Sequence, residues 1–529
     1  MNKQINDSLE EKPRRRLSIF RLLLLILILT GIIYGGKFGI NKLKEDLIPT
    51  NNNLKPWFAA YVDVTATPQY DFEQIGKNDA NNLILSFIVS SSDEPCKPTW
   101  GNTYDLDEST VALDLDRRIA RLRQLGGEIA ISFGGSLNDE LAVNCTDMDS
   151  LIEAYRTVIN KYEITTIDLD IEKIALSDTQ SIERRALAIA KLQKDIRGQG
   201  GDLAVWLTLP VTPQGLTEEG TNIVAKMLEK EVDLSGINIM TMDYGQSKKK
   251  DMSMQEASQQ AISETHRQLT ILYNNAGITL NSSSIWKKIG ITPMIGQNDF
   301  IDEVFTLDDA KALNEYASIN GITRISIWSA NRDIQCGDNY VNVSVVSDSC
   351  SGVKQDKLAY STLLSINFEG DLAPNAAVIT SSDSVTSEQD QTDDPKTSPY
   401  QIWNEDGVYL EGTKVVWHRN VYQAKWWTQN DVPDNPVLQS WQTPWQLIGP
   451  VLPGEKPIKQ LTLPEGIYPE WSGNTQYNEG DRVLFNKVPY EAKWWTQGDS
   501  PAAATADPTS SPWKALTQSQ IEEILESTK

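Results

Sequence analysis

From Trp57 to about Phe368 the chain alternates between two hydrophobic periods. Short runs dominated by apolar or alternating residues predict eight strands: Trp57 to Val64, Asn82 to Val89, Glu128 to Phe133, Thr165 to Ile171, Leu203 to Leu209, Gly236 to Met242, Lys288 to Met294 and Arg324 to Trp328. Between them lie stretches such as Asp114 to Leu125, Met148 to Tyr162, Ser181 to Arg197 and Met252 to Asn275, whose apolar side chains recur every three to four positions and predict amphipathic helices. Eight such alternations over about 310 residues predict an α/β fold, a (β/α)8 TIM barrel with its active site at the C-terminal ends of the strands.

The pattern changes on both sides of this region. Residues 17–36 are almost wholly apolar apart from Arg21 and follow the basic run Lys12-Pro13-Arg14-Arg15-Arg16, which predicts a membrane span with its positive flank in the cytoplasm. No small-x-small cleavage site follows, so an uncleaved anchor is favoured over a removed signal peptide. Residues 1–16 are then cytoplasmic, 37–55 a juxtamembrane linker and 56–368 the barrel, on the extracytoplasmic side. Residues 369–398 are rich in Ser, Thr, Asp and Pro and read as a disordered linker. Beyond them Tyr422-Gln423-Ala424-Lys425-Trp426-Trp427-Thr428-Gln429 returns 68 residues later as Tyr490-Glu491-Ala492-Lys493-Trp494-Trp495-Thr496-Gln497. Two copies of one small all-β module, 399–450 and 466–517, follow from this repeat, with a linker at 451–465 and a tail at 518–529.

Composition narrows the chemistry. A net charge of −24 disfavours nucleic acid as a partner, and only two histidines, His266 and His418, leave no room for a multi-histidine metal site. Carboxylates must carry any acid-base work. The four cysteines lie in the exported part without metal-type spacing; Cys336 is expected to pair with Cys350 across a short loop, and Cys96 with Cys145 by elimination. Ten of the fifteen tryptophans lie between Trp403 and Trp513, too many for two small cores to bury completely.

The fourth strand ends Thr165-Thr166-Ile167-Asp168-Leu169-Asp170-Ile171-Glu172. Residues two apart on a strand share a face, so Asp168, Asp170 and Glu172 form a ladder climbing about 6 to 7 Å per step inside the barrel mouth. Confined like charges raise one another's pKa, so at least one carboxyl group keeps its proton near neutral pH and is available as a general acid. A divalent-cation site is the other reading of such a cluster.

These residues resemble the DxxDxDxE signature of family 18 glycoside hydrolases, with Thr165 in place of the first Asp, and Ser132-Phe133-Gly134-Gly135 is similar to that family's SxGG motif. The resemblance, over about residues 56–366, is to chitinases of the type first described in Pyrococcus. It implies substrate-assisted retention without metal or organic cofactor: Glu172 as acid and base, Asp170 holding the acetamido group, Asp168 tuning Asp170. The sixth strand aligns with the family's MxYD segment in two ways. Either Met242 and Asp243 take the tyrosine and acid positions, or Tyr244 and Gly245 do; Tyr244 is favoured as the residue able to donate a hydrogen bond in the site. Trp328 resembles the tryptophan that floors the cleaved sugar's subsite, and Tyr61, Ser132, Met242, Asp243 and Gln297 complete the expected substrate contacts.

The two AKWWT segments resemble small chitin-binding modules, which implies that exposed indoles grip the apolar faces of sugar rings. Neighbouring strand residues point to opposite faces, so one of Trp426 and Trp427, and one of Trp494 and Trp495, is expected on the binding surface. The leading functional expectation is an endo-acting chitinase on chitin or N-acetylglucosamine oligomers, anchored at the membrane, with no obligate protein partner evident. The alternatives are a catalytically idle chitin-binding surface protein and an endo-N-acetylglucosaminidase acting on another glycan.

Overall fold

The computed structural model describes residues 54–74, 81–340, 342–378, 392–452, 454–457, 463–464, 466–501 and 511–527. The expected membrane anchor at 17–36 and its flanks up to residue 53 lie outside these. Among the described residues no helix is long and apolar enough to cross a membrane.

Eight parallel strands, β1 (Trp57–Asp63), β2 (Asn82–Ser90), β3 (Glu128–Gly134), β4 (Thr166–Asp170), β5 (Ala204–Thr212), β6 (Leu234–Met240), β7 (Ile289–Thr292) and β8 (Arg324–Ile327), pair in sequence order, and β8 returns to β1. The closed barrel sorts its side chains by strand period. Phe58, Ala60 and Val62 on β1 and Ile167 and Leu169 on β4 join the large core between strands and helices. Trp57, Ala59 and Tyr61 instead enter a separate interior cluster with Ile84, Ala130, Ala204 and Trp206. At the base of that interior Trp57 and Trp206 meet edge to face at 5.7 Å. The large indole fits because β6 supplies Gly236, where an added Cβ would stand 2.3 Å from the Trp206 ring.

Both disulfides join the expected partners, Cys96–Cys145 and Cys336–Cys350. The predicted helices are present as Leu115–Gln124, Met148–Tyr162, Thr179–Gly198 and Met254–Asn275. The last begins in a capping box in which Ser253 and Glu256 satisfy each other's backbone donors.

The boundaries after the barrel differ from the expected ones. Residues 369–378 are not linker: Leu372, Ala376 and Val378 plug the barrel base against Trp57 and Trp206, and the Trp206 indole donates to the Ala376 carbonyl at 3.0 Å. Composition misled here because a few apolar residues suffice to close a barrel end already shaped to receive them. Residues 392–398 belong to the first module, where the Asp393 carboxylate accepts from the backbone N–H groups of His418 and Arg419. Only 379–391 of the expected linker remains, and it lies outside the described residues. The tail is helical over Gln518–Ser527 and buries Ile521 against Leu463, Leu484 and Leu516.

The modules repeat in detail. Lys414–Trp417, Asn420–Ala424 and Trp445–Pro450 form an antiparallel sheet in the first, as Arg482–Phe485, Val488–Ala492 and Trp513–Ala515 do in the second. Trp445 and Trp513 are fully buried, and each donates its indole N–H at 2.8 Å to the carbonyl of Asp431 or Asp499. Their surroundings diverge. The first module is docked on the barrel: Arg267 donates to the carbonyls of Val437 and Leu438, and Gln268 donates to Leu438 at 3.0 Å. Residues 261–269 of the long helix are consequently buried on every side, although one face of a barrel helix normally meets water.

Candidate active site

The site grows from the interior face of β4. Asp168 lies level with Ser132 on β3 and Trp206 on β5 in the strand register, so neighbouring strands can supply its partners. Its carboxylate accepts from the Tyr61 hydroxyl (2.8 Å), the Ser132 hydroxyl (2.8 Å), the Thr208 hydroxyl (2.7 Å) and the Arg324 guanidinium (2.9 Å). Arg324 itself lies against two aromatic rings, 5.4 Å from the centroid of Trp57 and 5.1 Å from that of Trp206. Four donors leave Asp168 nothing to offer a cation, which removes it from the metal-ligand reading.

One step up, Asp170 is 5% exposed and its Oδ1 has no hydrogen-bond partner within the protein. Burial, followed by repulsion from Glu172 and Asp168, holds its pKa well above the usual carboxylate range. Close packing above it requires glycine: Gly134 has φ +110°, and a Cβ there would stand 2.0 Å from the Asp170 carbonyl oxygen. Glu172, just past the strand, lines the opening. Burial pushes its carboxyl up to about 7; Asp243 and Asp299 push the same way, and Lys173 opposes them. The ladder therefore holds a carboxylate fixed by donors at its foot and two carboxyl groups above it that favour the protonated form.

These groups face a cleft of about 330 Å³ at the C-terminal ends of the strands. Tyr61, Phe87, Met242, Asp243 and Trp328 line it beside Asp170 and Glu172. The Phe87 and Trp328 rings are stacked at 5.5 Å, and Tyr61 leans toward Trp328 at 6.1 Å, which makes an aromatic floor. Ser132 lies beneath the cleft, on Asp168.

Two expected site residues point elsewhere. Tyr244 is turned outward, its hydroxyl 3.2 Å from the Ser258 hydroxyl on the long helix, and it packs in the outer core. The cause is local: Asp243 has φ +48°, which breaks strand alternation one residue before Tyr244. The Glu303 carboxylate then pins the turn by accepting from the N–H groups of Tyr244 (2.9 Å) and Gly245 (2.8 Å). The ungapped alignment, with Met242 and Asp243 at the cleft, is the one that the geometry follows. Gln297 is buried, and its amide donates to the carbonyls of Asn298 (3.1 Å) and Phe300 (3.0 Å), so it shapes the loop after β7 and does not face the cleft.

The reading from sequence missed Arg324, Thr208, Phe87, Asp299 and Asp348. Arg324 left a signal: Arg324 and Ser326 alternate with Ile325 and Ile327, which places a charge inside the barrel. Asp348 left none, because it reaches the cleft on the loop closed by Cys336 and Cys350.

The tryptophan pairs also depart from expectation. They follow Asn420–Ala424 and Val488–Ala492 in a bend outside the strands, so both rings of each pair are exposed: Trp426 45%, Trp427 57%, Trp494 44% and Trp495 58%. Alternation of faces applies only within a strand. Lys425 and Lys493 sit over Trp426 and Trp494, with their ammonium groups 4.9 and 4.4 Å from the ring centroids.

Comparison with known proteins agrees with this geometry. Residues 470–514 match the model of carbohydrate-binding module family 5/12. The catalytic domain of a hyperthermophilic chitinase from Pyrococcus furiosus superposes with a TM-score of 0.51 at 29% identity, covering 60% of this chain and 98% of that one. The barrel is therefore similar in fold and in sequence to the catalytic domain of a chitinase, and the second repeat to a carbohydrate-binding module. The chain is 35% identical over 289 residues to a probable bifunctional chitinase/lysozyme of Escherichia coli K12, covering 53% of this chain and 31% of that protein. It is 34% identical over 284 residues to endochitinase 11 of Metarhizium anisopliae, covering 52% of each. The chain thus spans between about a third and a half of the length of these curated relatives.

Proposed function

We propose that this protein is a family 18 glycoside hydrolase, an endo-acting chitinase that cleaves β-1,4 bonds between N-acetylglucosamine units, held to its polymer by two tryptophan-bearing modules. The observation that carries this reading is the pairing of Glu172, protonated near neutrality at the cleft, with the unpartnered Oδ1 of Asp170 below it. The substrate's N-acetyl oxygen attacks the anomeric carbon while Glu172 gives its proton to the departing glycosidic oxygen. Asp170 accepts from the acetamido N–H and stabilises the positive oxazolinium ion. Glu172, now a carboxylate, takes a proton from water as that water attacks the anomeric carbon, which restores the acetamido group with configuration retained. Asp168, fixed by Arg324 and three hydroxyl groups, forms the immobile foot of the ladder beneath Asp170. The indoles of Trp426, Trp427, Trp494 and Trp495 supply apolar faces for the sugar rings of an insoluble chain.

The apolar run at 17–36 and its basic flank support a membrane tether with the barrel outside the cytoplasm, where the two disulfides persist. Fractionation of cells producing the full chain tests this: release from membranes by alkaline carbonate, without detergent, excludes the tether.

The test of activity is hydrolysis of a chromogenic N-acetylglucosamine oligomer by the full chain beside Glu172→Gln. An active parent and an inert variant support the mechanism. A parent that is inert yet adsorbs to chitin makes the protein a binding protein, a reading favoured by one observation, the outward turn of Tyr244.

A further inference from the structure

The charge of the cleft exceeds what a neutral polymer needs. Six acidic side chains line it, Asp63, Asp170, Glu172, Asp243, Asp299 and Asp348, and no lysine or arginine is among the lining residues. They come from separate segments: β1, β4, the turns after β6 and β7, and the disulfide-closed loop. The mechanism uses Asp170 and Glu172 alone. The others impose a cost, since burial and repulsion from Asp299 and Glu303 push the Asp243 carboxyl up to about 6, although the N–H of Asp299 donates to it at 2.8 Å. Arg332, fully buried behind them, offsets one charge and directs its guanidinium to the carbonyls of Ile295 and Gln297. Lys173 stands outside the cleft, beside Glu172. Among the described residues no three of these acids are arranged to hold a metal ion, while the buried Asp170 Oδ1 in the same cleft still lacks a donor. Such a surface suits ligands bearing spaced single positive charges with N–H donors.

We infer that the cleft favours partially deacetylated chitin, in which glucosamine units present free ammonium groups to Asp243, Asp299 and Asp348. The unit at the scissile bond keeps its N-acetyl group, because that oxygen is the proposed nucleophile; the inference rests on the chitinase reading to this extent and concerns the neighbouring units. An ammonium group beside these acids relieves their mutual repulsion, so the gain is electrostatic and screened by salt.

The experiment uses the full chain carrying Glu172→Gln, titrated calorimetrically at pH 7 with soluble tetramers of equal length, either fully acetylated or carrying two glucosamine units. Tighter binding of the cationic tetramer, on the order of tenfold at low salt and shrinking in 0.5 M NaCl, is expected. Asp299→Asn and Asp348→Asn, each added to that background, should each reduce this preference about threefold. Equal affinity for the two tetramers, or a preference that persists in both Asn variants, overturns the inference. Hydrolysis by the parent is scored separately: a parent inert on both tetramers defeats the chitinase reading, while the binding ratio still decides the charge preference.

Discussion

The barrel mouth and the repeat modules treat burial in opposite ways. At the mouth the polar groups are inside: Asp168 and Arg324 are each 1% exposed and Asp170 is 5% exposed, while the aromatic floor is partly covered. In the modules the paired indoles are outside, and the buried tryptophans, Trp403, Trp445 and Trp513, form the cores. The proposed chemistry needs carboxyl groups whose pKa values are raised, and burial is the largest cause of that rise at Asp170 and Glu172, with repulsion between neighbouring acids adding to it. Adhesion to an insoluble polymer needs apolar area that water already touches, so that binding and not folding removes it from water. A second contrast lies between the modules themselves. They share bonds such as Thr428 to Asp431 and Thr496 to Asp499, but the first is bolted to the barrel by Arg267, whose ion pair with Glu264 at 3.0 Å is buried, whereas the second packs against the C-terminal helix.

The sharpest way to break the contrast is to disturb the buried pair. Arg324→Met leaves Asp168 without its cation in the barrel interior and should lower the stability of the barrel by roughly 3 to 5 kcal/mol, read by denaturant unfolding. A change below about 1 kcal/mol would mean that the three hydroxyl groups alone satisfy Asp168.

Next in size, Glu172→Gln should reduce hydrolysis of a soluble oligomer by at least about a hundredfold while leaving adsorption to chitin intact. Loss of adsorption would show that the cleft, and not the modules, holds the polymer. The converse variant, with Trp426, Trp427, Trp494 and Trp495 all changed to Ala, should weaken adsorption by up to about a hundredfold and leave hydrolysis of a short soluble oligomer within about twofold. Equal loss on both substrates would dissolve the division of labour.

The smallest effects are in pH dependence. With Glu172 titrating at about 7 in the free enzyme, kcat/KM should fall as pH rises through that value, because the general acid must be protonated. The same raised pKa costs stability: the native carboxyl favours its proton, so the cost is absent below the unfolded value near 4.5 and grows as pH rises toward 7. Glu172→Gln should therefore raise Tm at pH 8 and change it little at pH 4.5. A gain of equal size at both pH values would point to packing instead of charge.

Much of this was legible before any coordinates, and particular residues show why. The alternation Asp168, Asp170, Glu172 places the three acids on one strand face, and Ser132 to Gly135 is marked by its resemblance to a family motif on the strand that precedes the ladder in barrel order. Tyr244 was misplaced because one left-handed residue, Asp243, resets which way the next side chain points, and nothing in the local composition announces it. Gln297 was misplaced for a related reason, since its amide is claimed by the carbonyls of its own loop. The tryptophan pairs were assigned to strand faces on the same alternation rule, and it failed where the strand ended two residues earlier.

Sequence alone thus determined the barrel, the repeat, the disulfide partners and the carboxylate ladder, because each follows from spacing along the chain or from a short list of chemically able residues. Tertiary structure alone decided which side chains the ladder meets, the plug formed by 369–378, the docking of the first module on the long helix and the convergence of Asp243, Asp299 and Asp348 on one cleft. Those features depend on segments distant in sequence arriving at one place, and the resulting burial sets the pKa values on which the proposed chemistry depends.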